Sequence, residues 1–141
     1  MFDGVYNNSE YWINGKKLGY HLSGYAPFYF DVTDYLNPNE DNRMTVRVDH
    51  SHYADSRWYT GSGIYRDVKM IVTDRLHIPV WGTFVTTPVV TDKYAKVNNQ
   101  ITVRNSYSEP RTAVVEIVYK DNKGNIAAFE VFSIKLNAGE E

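Results

Sequence analysis

The chain has 141 residues, with 15 Lys+Arg against 17 Asp+Glu and a net charge of -2; no field of one sign exists to hold nucleic acid or an anionic membrane. It contains no cysteine, which excludes disulfides and thiolate chemistry, and no apolar run is long enough to cross a bilayer as a helix. Hydrophobic residues at 43% and charged residues at 23% are ordinary for a globular protein, and the length suits one domain or two small ones.

The N-terminus lacks the basic-then-apolar pattern of a signal peptide, and composition leaves the compartment open. Aromatic residues reach 15%, with 12 Tyr, 6 Phe and 3 Trp. Tyrosine has an apolar body and a polar tip and suits half-buried pleated surfaces. The rings fit either the margins of a β-sandwich or a platform on which a sugar stacks, and composition does not choose between them.

In chain order, Tyr11 to Gly19 carries Asn14-Gly15 between two short strand-like runs. That pair tolerates positive φ at both central turn positions and predicts a tight hairpin. Gly24 to Asp31 is a loop broken by Gly and Pro ahead of a short aromatic strand. Asp31 to Leu36 suits one turn of helix capped by Asp31 or Thr33, and Asn37 to Asn42 is a turn cluster. Met44, Val46 and Val48 alternate with polar residues, a period of two that predicts a half-buried strand. Val68, Met70 and Val72 repeat the pattern and predict another.

A boundary is expected between Asp74 and Ile78. Beyond it, Pro79 and Pro88 suggest a linker or an edge strand. Three strands follow, Ala95 to Arg104, Arg111 to Tyr119 and Ile126 to Leu136, the last two joined by a glycine-containing loop over Asp121 to Asn125. Ala113, Val115, Ile117 and Tyr119 share one face. Strand spacing of this kind suggests an immunoglobulin-like sandwich, which takes about 100 residues; fewer remain here, so an incomplete one is expected. The fold class is all-β.

Several fragments together resemble glycoside hydrolase family 2, the β-galactosidases and their relatives. They are Phe2-Asp3-Gly4-Val5-Tyr6, Trp12-Ile13-Asn14-Gly15, Gly24-Tyr25-x-Pro27-Phe28, Asp31-Val32-Thr33, Val46-Arg47-Val48-Asp49, Gly61-Ser62-Gly63-Ile64-Tyr65-Arg66-Asp67-Val68 and Trp81-Gly82-Thr83 with Thr86-Thr87-Pro88. Asn-Gly alone occurs in any hairpin; the order and spacing of the set carry the likeness. The resemblance implies the later part of a jelly-roll sugar-binding domain over residues 1–76. It implies a truncated immunoglobulin-like sandwich over 77–141, both ahead of a catalytic barrel that this chain lacks.

It further implies retaining glycosidases that use two glutamates at barrel strand ends, whose carboxyl groups must sit about 5–5.5 Å apart. The glutamates present are Glu10, Glu40, Glu109, Glu116, Glu130, Glu140 and Glu141, and none lies in such a motif. The expectation is a non-catalytic accessory part of such an enzyme, with the rest of the enzyme and carbohydrate as partners and no cofactor. The alternative is an autonomous carbohydrate-binding module. Strand edges left open by missing neighbours recruit other chains, so a homodimer or strand exchange is also expected.

By the same resemblance, Asp55, Arg57, Trp58 and Tyr59 lie on a loop that reaches the active site. A carboxylate accepts from vicinal hydroxyls, a guanidinium donates in a fork, and an aromatic face packs on the C–H face of a sugar. The competing reading has Trp58 and Tyr59 plugging the end of the sandwich, Arg66 and Asp67 forming an ion pair that fixes the loop, and Trp12 in the core. His50 and His52 share a strand face near Asp49 and Asp55, yet a metal needs a third convergent ligand; exposed loop histidines are expected, and no metal. Ser62 has no partner histidine in its sequence context.

Overall fold

A computed structural model describes residues 1–52 and 58–141. The chain divides into two compact units, Met1–Ile71 and Val72–Glu141. Both are built from antiparallel strands, and the protein is all-β.

In the first unit, β1 (Val5–Tyr6), β2 (Ser9–Ile13), β3 (Lys16–His21), β4 (Met44–Val48) and β5 (Gly63–Ile64) follow one another, with a 3-10 turn at Thr33–Tyr35. β2 lies between β3 and β4, and β1 pairs with β5. The β2–β3 hairpin closes with Ile13 opposite Lys16. Asn14 and Gly15 take φ of 51° and 79°, the mirror-image turn that matches strand twist. The 3-10 turn is held as the acidic residue ahead of it predicts: the Asp31 carboxylate accepts from Thr33 N at 3.0 Å and from its hydroxyl at 2.6 Å.

Alternation along β2 sends Ser9, Tyr11 and Ile13 inward and Glu10 and Trp12 outward. Trp12 is therefore an outer-face residue, with the Lys17 ammonium 5.5 Å from its ring centre, and not the core residue its size suggests. The core is aromatic. Phe2 and Phe28 stack at 5.3 Å, and Tyr11 lies 4.9 Å from Phe2 and 5.1 Å from Phe30. The fully buried Tyr11 hydroxyl donates to Ser9 Oγ at 2.6 Å, and Ser9 Oγ donates to the His21 carbonyl at 3.1 Å. A polar tip thus reaches the interior without an unmet hydrogen bond.

Val68, Met70 and Val72 do not form the strand their alternation predicts, and all three are exposed. The segment is held by one bridge, Phe2 opposite Val68, with Lys69 N donating to the Met1 carbonyl and Asp3 N to the Asp67 carbonyl. Period two shows which side chains share a face; a ladder also needs a neighbour along its length.

The second unit contains β6 (Leu76–His77), β7 (Thr83–Val90), β8 (Ala95–Ile101), β9 (Arg104–Asn105), β10 (Arg111–Lys120) and β11 (Ile126–Leu136), paired as β6–β9, β7–β8 and β10–β11. The single strand expected over Ala95 to Arg104 is two, because the chain changes partner from β7 to β6. Pro88 sits where the β7–β8 register slips between Thr86 and Val89, the kind of position a residue without N–H tolerates. Val103, Ala113, Val115 and Leu136 form the core, with Ile117 against it.

Asn105 is the buried polar centre of this unit. Its amide donates to the carbonyls of Glu109 at 2.9 Å and Asn137 at 2.8 Å, and its Oδ1 accepts from Tyr107 N at 3.1 Å. Nearby, the Tyr107 hydroxyl donates to Asp74 at 3.0 Å, and the Arg111 guanidinium lies 4.5 Å from the Tyr107 ring centre.

Candidate functional site

The loop between β4 and β5 is fastened at its root. Asp49 N donates to the Asn8 carbonyl at 3.2 Å, and Asn8 Nδ2 returns a bond to the Asp49 carbonyl at 3.3 Å. The Asp49 carboxylate accepts from the Ser51 hydroxyl at 2.6 Å, from Ser51 N at 3.1 Å and from Arg47 at 3.3 Å. The Ser51 bonds first, and Arg47 more weakly, hold its pKa below the ordinary carboxylate value.

His50 Nδ1 lies 3.0 Å from Ser62 Oγ, so Ser62 has a histidine partner that its sequence context does not reveal. This bond links the two sides of the loop across 12 positions of chain. Tyr6 supports it: its ring meets His50 edge-on at 4.9 Å and Tyr25 edge-on at 5.5 Å. Gly24 lies against the root of that ring, where a Cβ would stand 2.1 Å from Tyr6 Cδ2. The Tyr65 hydroxyl donates to the Gly24 carbonyl at 2.8 Å. Arg66 donates to the Tyr25 carbonyl at 3.4 Å and lies 5.1 Å from the Tyr65 ring centre. It is this use of Arg66, and not an ion pair with Asp67, that secures the segment after β5.

On this anchored root the structure presents Trp58, 72% exposed, and Tyr59, 94% exposed. Neither plugs the sandwich. Asp55 and Arg57 lie outside the described residues. His52 is exposed, and among the described residues no His/Cys/Asp/Glu group is arranged to hold a metal ion. Tyr6, Tyr25 and Ser62 are the residues that sequence reasoning missed as parts of the site; their partners are 12 to 44 positions away, beyond the reach of local pattern.

Several glutamates are committed elsewhere. Glu10 accepts from Lys17 at 2.5 Å and from Arg47 at 3.2 Å, Glu109 pairs with Arg111, and Glu141 with Arg104. The Glu140 carboxylate accepts from Asn137 N at 2.6 Å. The Lys17 bond in particular lowers the Glu10 pKa. No helix among the described residues is long and apolar enough to cross a membrane.

Known proteins resemble this chain in sequence and fold. The family model described as "Glycosyl hydrolases family 2, sugar binding domain" matches residues 1–74. A β-galactosidase of Bacteroides ovatus is 41% identical over 140 residues, covering 99% of this chain and 16% of the relative. A β-glucuronidase of Bacteroides fragilis is 31% identical over 150 residues, covering 99% of this chain and 21% of its own length. Among solved structures, a glycosyl hydrolase family 2 member from Bacteroides cellulosilyticus superposes with a TM-score of 0.86 at 36% identity, over 99% of this chain and 19% of that one. A β-glucuronidase from glycoside hydrolase family 2 gives 0.87 at 26% identity, over 99% and 17%. The chain thus spans roughly a fifth or less of the proteins it matches.

Proposed function

The chain belongs to glycosyl hydrolase family 2, and from that premise we propose that it is a non-catalytic accessory part of a β-galactosidase-like retaining glycosidase. In this reading residues 1–76 act as the jelly-roll sugar-binding domain and 77–141 as an immunoglobulin-like domain. They buttress a catalytic barrel and lend the loop carrying Asp55, Arg57, Trp58 and Tyr59 to its active site.

The observation that carries the proposal is the contrast between root and tip of this loop. The root is locked by the His50–Ser62 and Tyr65–Gly24 bonds, while Trp58 and Tyr59 present exposed rings. An exposed aromatic face offers the C–H side of a pyranose a flat apolar surface, and a rigid support keeps the ordering cost of binding low. In this reading the chemistry belongs to the catalytic barrel, since none of the seven glutamates here lies in a motif like the catalytic ones of the family. The names of the relatives include both β-galactosidases and β-glucuronidases; a galactoside is proposed because the loop resembles that of β-galactosidases.

The test is kinetic. In an enzyme carrying this segment, Trp58→Ala raises KM for a nitrophenyl β-galactoside about tenfold with kcat less affected, as expected when a contact shared by ground and transition states is removed. Unchanged KM and kcat would refute the assignment of the loop.

A further inference from the structure

The outer face of the three-stranded sheet holds a second feature, which meets the loop only at its root residues Asn8 and Asp49. Tyr20, Glu10 and Arg47 stand opposite one another on β3, β2 and β4. Two residues further along, at the same end of the sheet, come Leu22, Asn8 and Asp49, joined through their backbones: Asn8 N donates to the Leu22 carbonyl and Asp49 N to the Asn8 carbonyl. These six line an open hollow of about 250 Å³. The second row lies just past the strand ends, and it is their common lining of the hollow that makes the two rows one surface.

The surface has two chemical halves. On one side Tyr20 and Leu22 are 68% and 63% exposed, a ring and an aliphatic side chain with nothing packed over them. On the other, Arg47 bridges the carboxylates of Glu10 and Asp49 at 3.2 and 3.3 Å, and Lys17 completes the network on Glu10. Two cations and two carboxylates balance to zero. The Arg47 guanidinium gives one N–H to each carboxylate and has others to offer, and a carboxylate has about four lone-pair sites, so Glu10 and Asp49 retain capacity to accept from a hydroxyl while Arg47 can donate to one. The hollow therefore offers acceptors beside an apolar wall, with no net charge to draw an anion.

We infer that this hollow is a subsite for a neutral pyranose, in which the C–H face of the sugar packs on Tyr20 and Leu22 while its hydroxyls donate to Glu10 and Asp49. It rests on the carbohydrate reading above but places the sugar on the sheet face and not on the Trp58 loop. The volume lies below the ~300–1,000 Å³ of sites that enclose drug-sized ligands, so the subsite takes one sugar unit and leaves it partly open to water. Its dissociation constant is correspondingly weak, on the order of 1–10 mM.

The experiment titrates the isotope-labelled chain with methyl β-D-galactopyranoside and, separately, with methyl β-D-glucuronide, following backbone amides by NMR. The expected result is saturable shifts at Asn8, Glu10, Tyr20, Leu22, Arg47 and Asp49, weaker for the glucuronide. Tyr20→Ala weakens galactoside binding about tenfold, and Trp58→Ala leaves these shifts unchanged. Tyr20 is exposed, so the variant folds, and its spectrum verifies this in the same sample. Absent shifts at these amides, shifts abolished by Trp58→Ala but not by Tyr20→Ala, or tighter binding of the glucuronide would each overturn the subsite. Shifts confined to the Trp58 indole would sink it while leaving the loop assignment intact. Shifts here, alongside an enzyme indifferent to Trp58→Ala, support the subsite and refute the loop.

Discussion

Gly24→Ala strikes the support of the candidate loop without touching its tip. The new Cβ would stand 2.1 Å from Tyr6 Cδ2 and 2.8 Å from Cε2. These atoms lie along the flank of a ring wedged between His50 and Tyr25, so the ring must leave its place. Moving it breaks two edge-on aromatic contacts, each worth about 0.5–1.5 kcal/mol beyond burial. It also disturbs the hydrogen bond from Tyr65 to the Gly24 carbonyl, a net contribution of about 0.5–1.5 kcal/mol. The expected loss is about 2–4 kcal/mol, a large share of the roughly 5–15 kcal/mol that separates a folded domain from its unfolded chain. Urea unfolding followed by amide signals of residues 1–71 measures it on one unit at a time, since a two-unit chain need not unfold in one step. Gly61→Ala is the control: among the described residues the nearest atoms to its Cβ would be those of Tyr59, at 3.4 Å or beyond. If Gly24→Ala unfolds within about 0.5 kcal/mol of the parent chain, Tyr6 is not the strut described above.

Asn105→Ala removes the amide that two carbonyls and one N–H rely on inside the second unit, and costs about 2–4 kcal/mol; amide exchange at residues 72–141 measures it, and a loss below about 1 kcal/mol counts against the network. The Glu10 carboxylate, with its folded pKa depressed by Lys17, contributes stability present above its unfolded value and lost as pH falls through the folded one. Lys17→Ala should move the Glu10 titration, read by NMR, back up toward the ordinary carboxylate range; an unmoved titration would show that Lys17 is not the cause. Among the described residues β10 and β11 pair only with each other, and Val114, Phe129 and Val131 are exposed. Open apolar edges of this kind recruit other strands, so light scattering should show mass rising with concentration, and a concentration-independent monomer would defeat that expectation.

Local chemistry carried most of the fold in the sequence. Asn14-Gly15, the alternation of β4 and β10, and Asp31 ahead of Thr33 each act within a few residues, and each acts as its chemistry dictates. What was illegible depended on distant partners. Val68 to Val72 has the right period but a neighbour over only a few residues. Tyr11 and Trp12 are adjacent aromatics, and only the phase of β2 in its sheet says which faces the core. In the candidate site, Trp58 and Tyr59 stood out as aromatics beside glycines. The His50–Ser62 bond and the Tyr6 strut are products of tertiary folding, and no short-range signal marks them.

The bond between His50 and Ser62 also bears on how such a protein changes over generations. A clasp at the root separates the cost of closing a loop from the identity of what the loop carries. Lengthening a closed loop is cheap, about 0.6 kcal/mol for each doubling, so residues between the clasped ends are open to substitution, insertion or exchange at little risk to the sheet below. The sandwich works as a socket and the loop as an interchangeable bit. Relatives acting on different sugars would then be expected to differ most inside the clasp and least at Tyr6, Gly24 and Tyr65, which grip it.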